Sequence, residues 1–172
     1  ESTYFLDEEM AGSMNLMIKV NEDLKDPNIL NQMDEIQNFL QNIPIVNTTL
    51  SITDIIKEMH MKVMDNDEVF HTIPNNRQKI TNLFTMYSLS GEPDDFESLV
   101  NYDYDTGLIT TMMHTVSTND IVILANKIQN FLNITTPNLN IEVSGLMMFL
   151  KDFVPMVVKS SITSILFSII II

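Results

Sequence analysis

The side chains that could carry chemistry are three histidines, two alternating aspartates and an abundance of methionine. His60, His71 and His114 lie far apart and lack the spacing of a metal site. We therefore expect surface residues or hydrogen-bonded core residues. Asp103 and Asp105 alternate as in a calcium loop, but the other ligand positions of such a loop are missing. A turn with solvated carboxylates at the entry to a strand is the favoured interpretation.

Thirteen methionines raise the question of a copper site, because thioether sulfur is a soft metal ligand. Neighbouring methionines would point to different sides of an element, as in the pairs Met59 and Met61, Met112 and Met113, and Met147 and Met148. Core filling is therefore favoured, with a methionine-lined cleft for a hydrophobic substrate as the alternative. No catalytic, metal or phosphate-binding set stands out, so we expect no enzyme activity and no cofactor. The substrate-binding residues are unknown at this stage.

Two glycosylation sequons occur, Asn47-Thr48-Thr49 and Asn133-Ile134-Thr135. Such triplets arise readily in a chain rich in asparagine and threonine. They would be used only if this segment lies outside the cell and the host has the glycosylation machinery.

Charge and composition limit the classes of function. The 172 residues include 23 acidic and 9 basic ones, which gives a formal net charge of −14. A surface this negative repels phosphate backbones and anionic lipid, so we expect no nucleic-acid partner. The absence of cysteine excludes disulfides, thiolate zinc sites and a cysteine nucleophile. The length and the hydrophobic content of 45% suit one domain with its own core.

The periodicity predicts an α+β domain made of two βαβ units. The unit over 16–50 has a strand over Leu16–Val20, a helix opened by Asp26-Pro27 and stopped by Pro44, and a strand over Ile45–Leu50. The unit over 106–144 has a strand over Leu108–Val116, a helix over Ile121–Leu132 and a strand over Leu139–Val143. The pentapeptide IQNFL occurs near the end of both helices, at Ile36–Leu40 and Ile128–Leu132, which indicates an internal repeat.

A helical insertion over 51–100 separates the two units. It should contain a helix over Ser51–Asp67 capped by Ser51 or Thr53, and a helix after Pro74 with Ile80, Leu83, Phe84 and Tyr87 on one side. A stop at Ser90–Pro93 and a short helical turn over Asp94–Leu99 follow. Two βαβ units form a ferredoxin-like, split βαβ sheet with both amphipathic helices on one face. The other face needs the insertion or another domain as cover.

The last residues form an uncharged apolar run from Ser160 to Ile172. Thirteen residues are too few to cross a bilayer, which takes about 20. The run lengthens to Phe153 if Lys159 and Pro155 are included. We therefore expect 146–172 to be the start of a truncated transmembrane helix, with a buried terminal helix or strand as the alternative. The sequence begins at Glu1 rather than at a methionine.

Short motifs recur in a fixed order along the chain. They are Leu24–Pro27, Ser51–Ile56, Ile73-Pro74, Tyr87–Gly91, Pro93–Asp95, Leu99–Tyr104, Ser144-Gly145 and Ser160–Ile162. In this order they resemble the first large extracytoplasmic loop of resistance-nodulation-division (RND) exporters. The most similar branch is that of the lipid and hydrophobe exporters, called the MMPL type.

The resemblance implies a porter domain over 1–145 on the extracytoplasmic side of a cell membrane, followed by the second membrane helix. It further implies the proton gradient as energy source, a hydrophobic or lipid-like substrate, and the rest of the transporter chain as partner. The proton-relay residues of such an exporter are not in this sequence, and homo-oligomerisation stays open. The alternative is a membrane-anchored ferredoxin-like module that binds a ligand or acts as a sensor. A third interpretation is a soluble ligand-binding domain with a buried tail.

Overall fold

The computed structural model describes residues 12–90 and 98–171. The strands are β1 (Met14–Val20), β2 (Val46–Ser51), β3 (Gly107–Met113) and β4 (Ile141–Ser144). The α-helices are α1 (Pro27–Gln41), α2 (Ile52–Val63), α3 (Arg77–Ser90), α4 (Thr118–Thr135) and α5 (Leu146–Ile171), and a 3-10 turn covers Glu68–Phe70. The predicted mixed α+β class is confirmed.

The four strands form one antiparallel sheet in the order β2-β3-β1-β4. β1 pairs with β3 along its whole length, from Met14 opposite Met113 to Val20 opposite Gly107. Alternate residues of both strands are buried and the residues between them are only half-buried. One face of the sheet therefore carries the core, as expected for a sheet with helices on one side.

The two copies of IQNFL meet in the helical layer. Their isoleucines and leucines are buried in the core cluster. Phe39 and Phe131 stack against each other between α1 and α4, with ring centroids 3.8 Å apart and an interplanar angle of 2°. The repeat seen in the sequence is thus also a contact between the two βαβ units.

The inserted helices and α5 leave the sheet in opposite directions. β2 is antiparallel to β3, which is itself antiparallel to β1, so β2 ends near the end of β1. β4 is antiparallel to β1 and therefore ends toward the start of β1. α2 follows β2 directly, and α3 is tied to the loop after β1 by an ion pair of 2.6 Å between Arg77 and Asp23. The insertion packs beside α1, and the half-buried second face of the sheet is in contact with the Ser98–Asn101 segment instead.

Helix α5 covers nearly the whole segment 146–172 that the sequence predicted as helical. Its residues Leu146–Ile169 form a 24-residue segment that is long and apolar enough to cross a membrane, a criterion of length and composition alone. The segment predicted as the start of a membrane helix, 146–172, agrees with α5, which begins at Leu146 and continues through Pro155 and Lys159. Met147 is fully buried against the domain, whereas every residue from Pro155 to Ile169 is exposed.

Several predicted boundaries were wrong by a few residues. α2 ends at Val63 rather than at Asp67, because Asp65 and Asn66 adopt left-handed backbone angles (φ 61° and 60°) that an α-helix excludes. β3 ends at Met113 rather than at Val116, and α4 extends beyond its predicted ends to Thr118–Thr135. The helical turn predicted over Asp94–Leu99 lies mostly outside the described residues; Ser98 and Leu99 form a turn.

Candidate functional site

A cleft of about 720 Å³ lies between α2 and α3. One wall is α2, which contributes two parallel stripes at i, i+4 spacing, an apolar one and a charged one. The other wall comes from α3, and His71 closes one side after the 3-10 turn. The lining residues are Asp54, Ile55, Glu58, Met59, Lys62, Val63, His71, Met86 and Tyr87.

The apolar part of the cleft is a surface that the core leaves uncovered. Ile52 and Ile56 on the neighbouring face of α2 are fully buried, whereas Ile55 and Met59 are half-buried and Val63 is 52% exposed. On the opposite wall Met86 is 46% exposed. Methionine side chains are flexible and polarizable, so this wall can adapt to apolar groups of different shape.

The charged stripe forms a rim around one carboxylate. Glu58 accepts from the Lys62 ammonium at 3.0 Å, and its second oxygen lies 3.8 Å from Nε2 of His71. Lys62 and Glu58 are both largely exposed, and an exposed pair of this kind contributes less than about 1 kcal/mol. The rim can therefore rearrange without disturbing the fold.

The start of α2 is held by a buried hydrogen-bond network to α1. Gln37 is 6% exposed; its Nε2 donates to Asp54 at 2.6 Å, and its Oε1 accepts from Ser51 Oγ at 2.6 Å. Ser51 and Asp54 also form a capping box at the N-terminus of α2. Lys57 adds an ion pair of 2.6 Å to Asp34 of α1. One wall of the cleft is thus fixed to the domain.

The loop after β1 holds the start of α3. Burial by itself would raise the pKa of Asp23, but hydrogen bonds from the Arg77 side chain and the Lys25 N–H, together with both positive charges, leave this pKa lowered. Further along α3, Phe84 packs against Tyr104 with ring centroids 4.5 Å apart. The second wall is therefore anchored at two points.

The three histidines have three different environments. His60 is buried on the core side of α2, where Nδ1 lies 2.8 Å from the carbonyl oxygen of Thr72 and the ring meets Phe70 edge-on. Within the described parts of the chain, its Nε2 has no hydrogen-bond partner. His71 lines the cleft, and the backbone N–H of His114 donates to Ile45. The structure does not bring them together, and no three His, Asp or Glu side chains among residues 12–90 and 98–171 could hold a metal.

Asp103 and Asp105 belong to a turn that enters β3. Asp105 accepts from the Asn101 side chain at 2.6 Å, and both aspartates are exposed. Lys25 donates to the Asp103 carbonyl oxygen at 3.0 Å, and Tyr104 between the aspartates has a left-handed φ of 58°. The interpretation as a strand-entry turn is confirmed.

Six of the described methionines lie either in the core or at the cleft. Met14, Met33, Met113 and Met147 are buried in the core, as the core-filling interpretation predicted. Met59 and Met86 instead face the cleft. A methionine-lined cleft was predicted only as an alternative and was not located, because the spacing of Ile55, Met59 and Val63 is visible in the sequence but the position of α3 is not.

Both sequon asparagines are exposed. Asn47 lies at an irregularity in the pairing of β2 with β3, on an edge strand of the sheet. Asn133 lies in the last turns of α4 and accepts from Gln129 at 3.2 Å. Both positions are accessible to a modifying enzyme.

No protein-family model matches the sequence, and neither a curated protein nor a solved structure matches it. The site is therefore interpreted from its own geometry.

Proposed function

We propose that this chain is the extracytoplasmic porter-type domain of a proton-driven RND-type exporter of lipids or other hydrophobic compounds. In this proposal the domain has the ferredoxin-like, split βαβ fold. The strand order β2-β3-β1-β4 and the stacked pair Phe39 and Phe131 between two similar units support that fold. The ordered sequence motifs support the exporter class.

The observation that carries the proposal is the arrangement of cleft and helix on one body. The cleft lies on the insertion, and the apolar helix α5 leaves the sheet toward the opposite end. A rotation of α5 in a membrane would therefore move the cleft as part of the same domain. Alternating access in transporters uses rigid-body motions of this kind.

The junction between the sheet and α5 is short enough to transmit such a motion. Only Gly145 separates β4 from α5. The backbone N–H of Leu146 donates to the Asn15 side chain at 2.8 Å, and Met147 is fully buried. The first turns of α5 are thus part of the folded domain rather than a flexible linker.

The size and lining of the cleft suit a hydrophobic molecule. Small-molecule sites measure about 300–1,000 Å³ and are mostly apolar with a few polar groups. The cleft has about 720 Å³, with apolar side chains on both walls and Glu58, Lys62 and His71 at its rim. The same cleft also favours a second candidate function, a membrane-anchored module that binds a ligand without transporting it, because both walls come from this one domain.

A linker insertion tests the coupling between α5 and the domain. The protein that carries this chain is reconstituted in liposomes, and the export of a fluorescent lipid under a proton gradient is measured. Insertion of four Gly and Ser residues between Gly145 and Leu146 should abolish export. The control places the same insertion between Asp65 and Asn66, in the exposed turn after α2, and should leave export unchanged.

Export that survives the insertion after Gly145 would contradict the coupling. Lipid binding without any export under a gradient would favour the ligand-binding module instead.

A further inference from the structure

The cleft between α2 and α3 has an apolar stripe along one wall. Ile55, Met59 and Val63 follow one another at every fourth residue along α2. At a rise of about 1.5 Å per residue, this stripe is about 12 Å long. Met86 faces it from α3. An apolar stripe of this length along one helix matches an extended hydrocarbon chain.

The groups at the rim favour a positive head group. Two carboxylates, Asp54 and Glu58, line the cleft against one ammonium, that of Lys62. Asp54 is held by Gln37, by the backbone of Ser51 and by Lys57. The contacts of Glu58 with Lys62 and His71 are exposed ones at the rim, which a ligand can replace.

Two further features of the chain favour a positively charged ligand. Tyr87 lies in the wall of the cleft, and an aromatic face attracts an ammonium group. The net charge of −14 draws cations toward the domain and repels anions.

We propose that the cleft binds a cationic amphiphile, with its hydrocarbon chain along Ile55, Met59 and Val63 and its ammonium head at Glu58. The head group displaces Lys62, which is 62% exposed and makes only a rim contact. This inference deepens the proposed function, on which it rests, by naming the class of hydrophobic ligand.

Methionine methyl groups provide direct probes for this site. The full chain, labelled with ¹³C at the methionine methyls, is inserted in lipid nanodiscs and titrated with decyltrimethylammonium or decyl sulfate. The cation should shift the Met59 and Met86 signals saturably, while the buried Met33 and Met113 signals stay in place. Met156, exposed on α5, reports partition of the probe into the lipid. Decyl sulfate should bind the cleft about tenfold more weakly, since its head group is repelled where the ammonium is attracted.

Two variants separate the head-group contact from the chain contact. Glu58→Gln should weaken binding of the cation about fivefold and leave decyl sulfate unweakened, whereas the control Glu35→Gln, at an exposed position on α1, should change neither. Met86→Asn, which removes the apolar contact without adding charge, should weaken saturable binding of both probes, with unchanged Met33 and Met113 signals as proof of folding.

The proposal is overturned if only Met156 shifts, or if the two probes bind the cleft equally well. The outcome is also distinct from that of the linker experiment. Binding at Met59 and Met86 without export would overturn the exporter and leave the site in place, whereas export with no response at Met59 and Met86 would overturn the site alone.

Discussion

The two helices that follow the two βαβ units, α2 and α5, begin alike and end differently. Each follows its strand almost without a loop. Each packs on the helix of its own unit and on the neighbouring central strand, α2 on α1 and β3, α5 on α4 and β1. However, α2 has 12 residues and stays within the insertion, whereas α5 has 26 residues and is exposed from Pro155 to Ile169.

The composition after the first two turns accounts for the difference. Both helices have charged residues at their sixth and seventh positions, 57 and 58 in α2 and 151 and 152 in α5. Beyond them α2 has Lys62 among its last five residues and ends at a left-handed turn. α5 carries one charge, Lys159, after Asp152. Its hydroxyl groups donate to carbonyl oxygens one turn back, as from Ser164 to Ser160 at 3.0 Å. Polar groups satisfied within the helix suit an apolar surrounding.

The different packing of α2 and α5 also gives the two glutamines of the IQNFL repeat different environments. Gln37 is buried, because α2 brings Ser51 and Asp54 onto it. Its counterpart Gln129 is exposed and lines a hollow of about 420 Å³ beside β4 and α5. The pentapeptide therefore specifies a helix face, while the helix that packs on it decides whether the glutamine joins a network.

Of the substitutions that test this comparison, one at the start of α5 should lower the free energy of unfolding most. Gly145 has a φ of +106°, and a Cβ there would lie 2.7 Å from the carbonyl oxygen of Asn15. Gly145→Ala should cost about 3 kcal/mol, because both the backbone angle and the contact with main-chain atoms oppose it. Urea unfolding of the chain in micelles gives the free energy. In the control Gly107→Ala, the added Cβ meets the side-chain ends of Met33 and Leu24, so about 1 kcal/mol is expected. Equal costs would contradict the special role of the junction.

The two helix starts should also differ in the strength of their caps. Ser51→Ala removes the cap of α2 and one of the two hydroxyl groups that donate to Gln37 Oε1, the other being that of Thr53, so a loss of about 2 kcal/mol is expected. Asn15→Ala removes the single bond to the Leu146 N–H, at about 1 kcal/mol. Hydrogen exchange at Thr53 and Leu146 should locate each loss at its own helix. Faster exchange at both positions in either variant would show that the two starts unfold together.

The aromatic contact that joins the two units should contribute less. Phe39→Leu and Phe131→Leu, alone and together, form a double-mutant cycle for the stacked rings. A coupling of about 1 kcal/mol is expected from their geometry. Phe149→Leu on α5, where Phe149 stacks on Phe153 away from this interface, is the control and should not couple to Phe131→Leu.

The smallest effect should come from the ion pair at the start of α3. Because the folded-state pKa of Asp23 is lowered, the pair stabilises the fold above the ordinary value of about 3.9 and is lost as the pH falls through the lowered pKa. Arg77→Gln should raise this pKa toward its ordinary value, as followed by carboxyl NMR. The substitution should also reduce the loss of unfolding free energy that occurs as the pH falls through the pKa of Asp23. Lys79→Gln, an exposed change on the same helix, should leave the Asp23 titration as it is.

Much of the secondary structure was readable from local signals. Asp26 caps α1 before Pro27, and Ser51 caps α2, because a side-chain oxygen near a free N–H acts over two or three residues. The end of α2 was misplaced, because two left-handed residues, Asp65 and Asn66, override the apolar period of the preceding turns. The predicted extent of α5, 146–172, agrees with the observed helix, and Lys159 and Pro155 interrupt the apolar composition without ending it.

The sequence by itself determined the α+β class, the repeat of IQNFL, the caps and the apolar character of α5, since each depends on residues close in the chain. The tertiary structure decided the cleft and the buried network, because both join residues that the sequence holds far apart. Ile55 and Ile56 are adjacent and chemically identical, yet Ile56 is buried in the core and Ile55 lines the cleft. Only the packing of α3 and α1 around α2 makes that distinction, since burial depends on what lies opposite a side chain and not on its type.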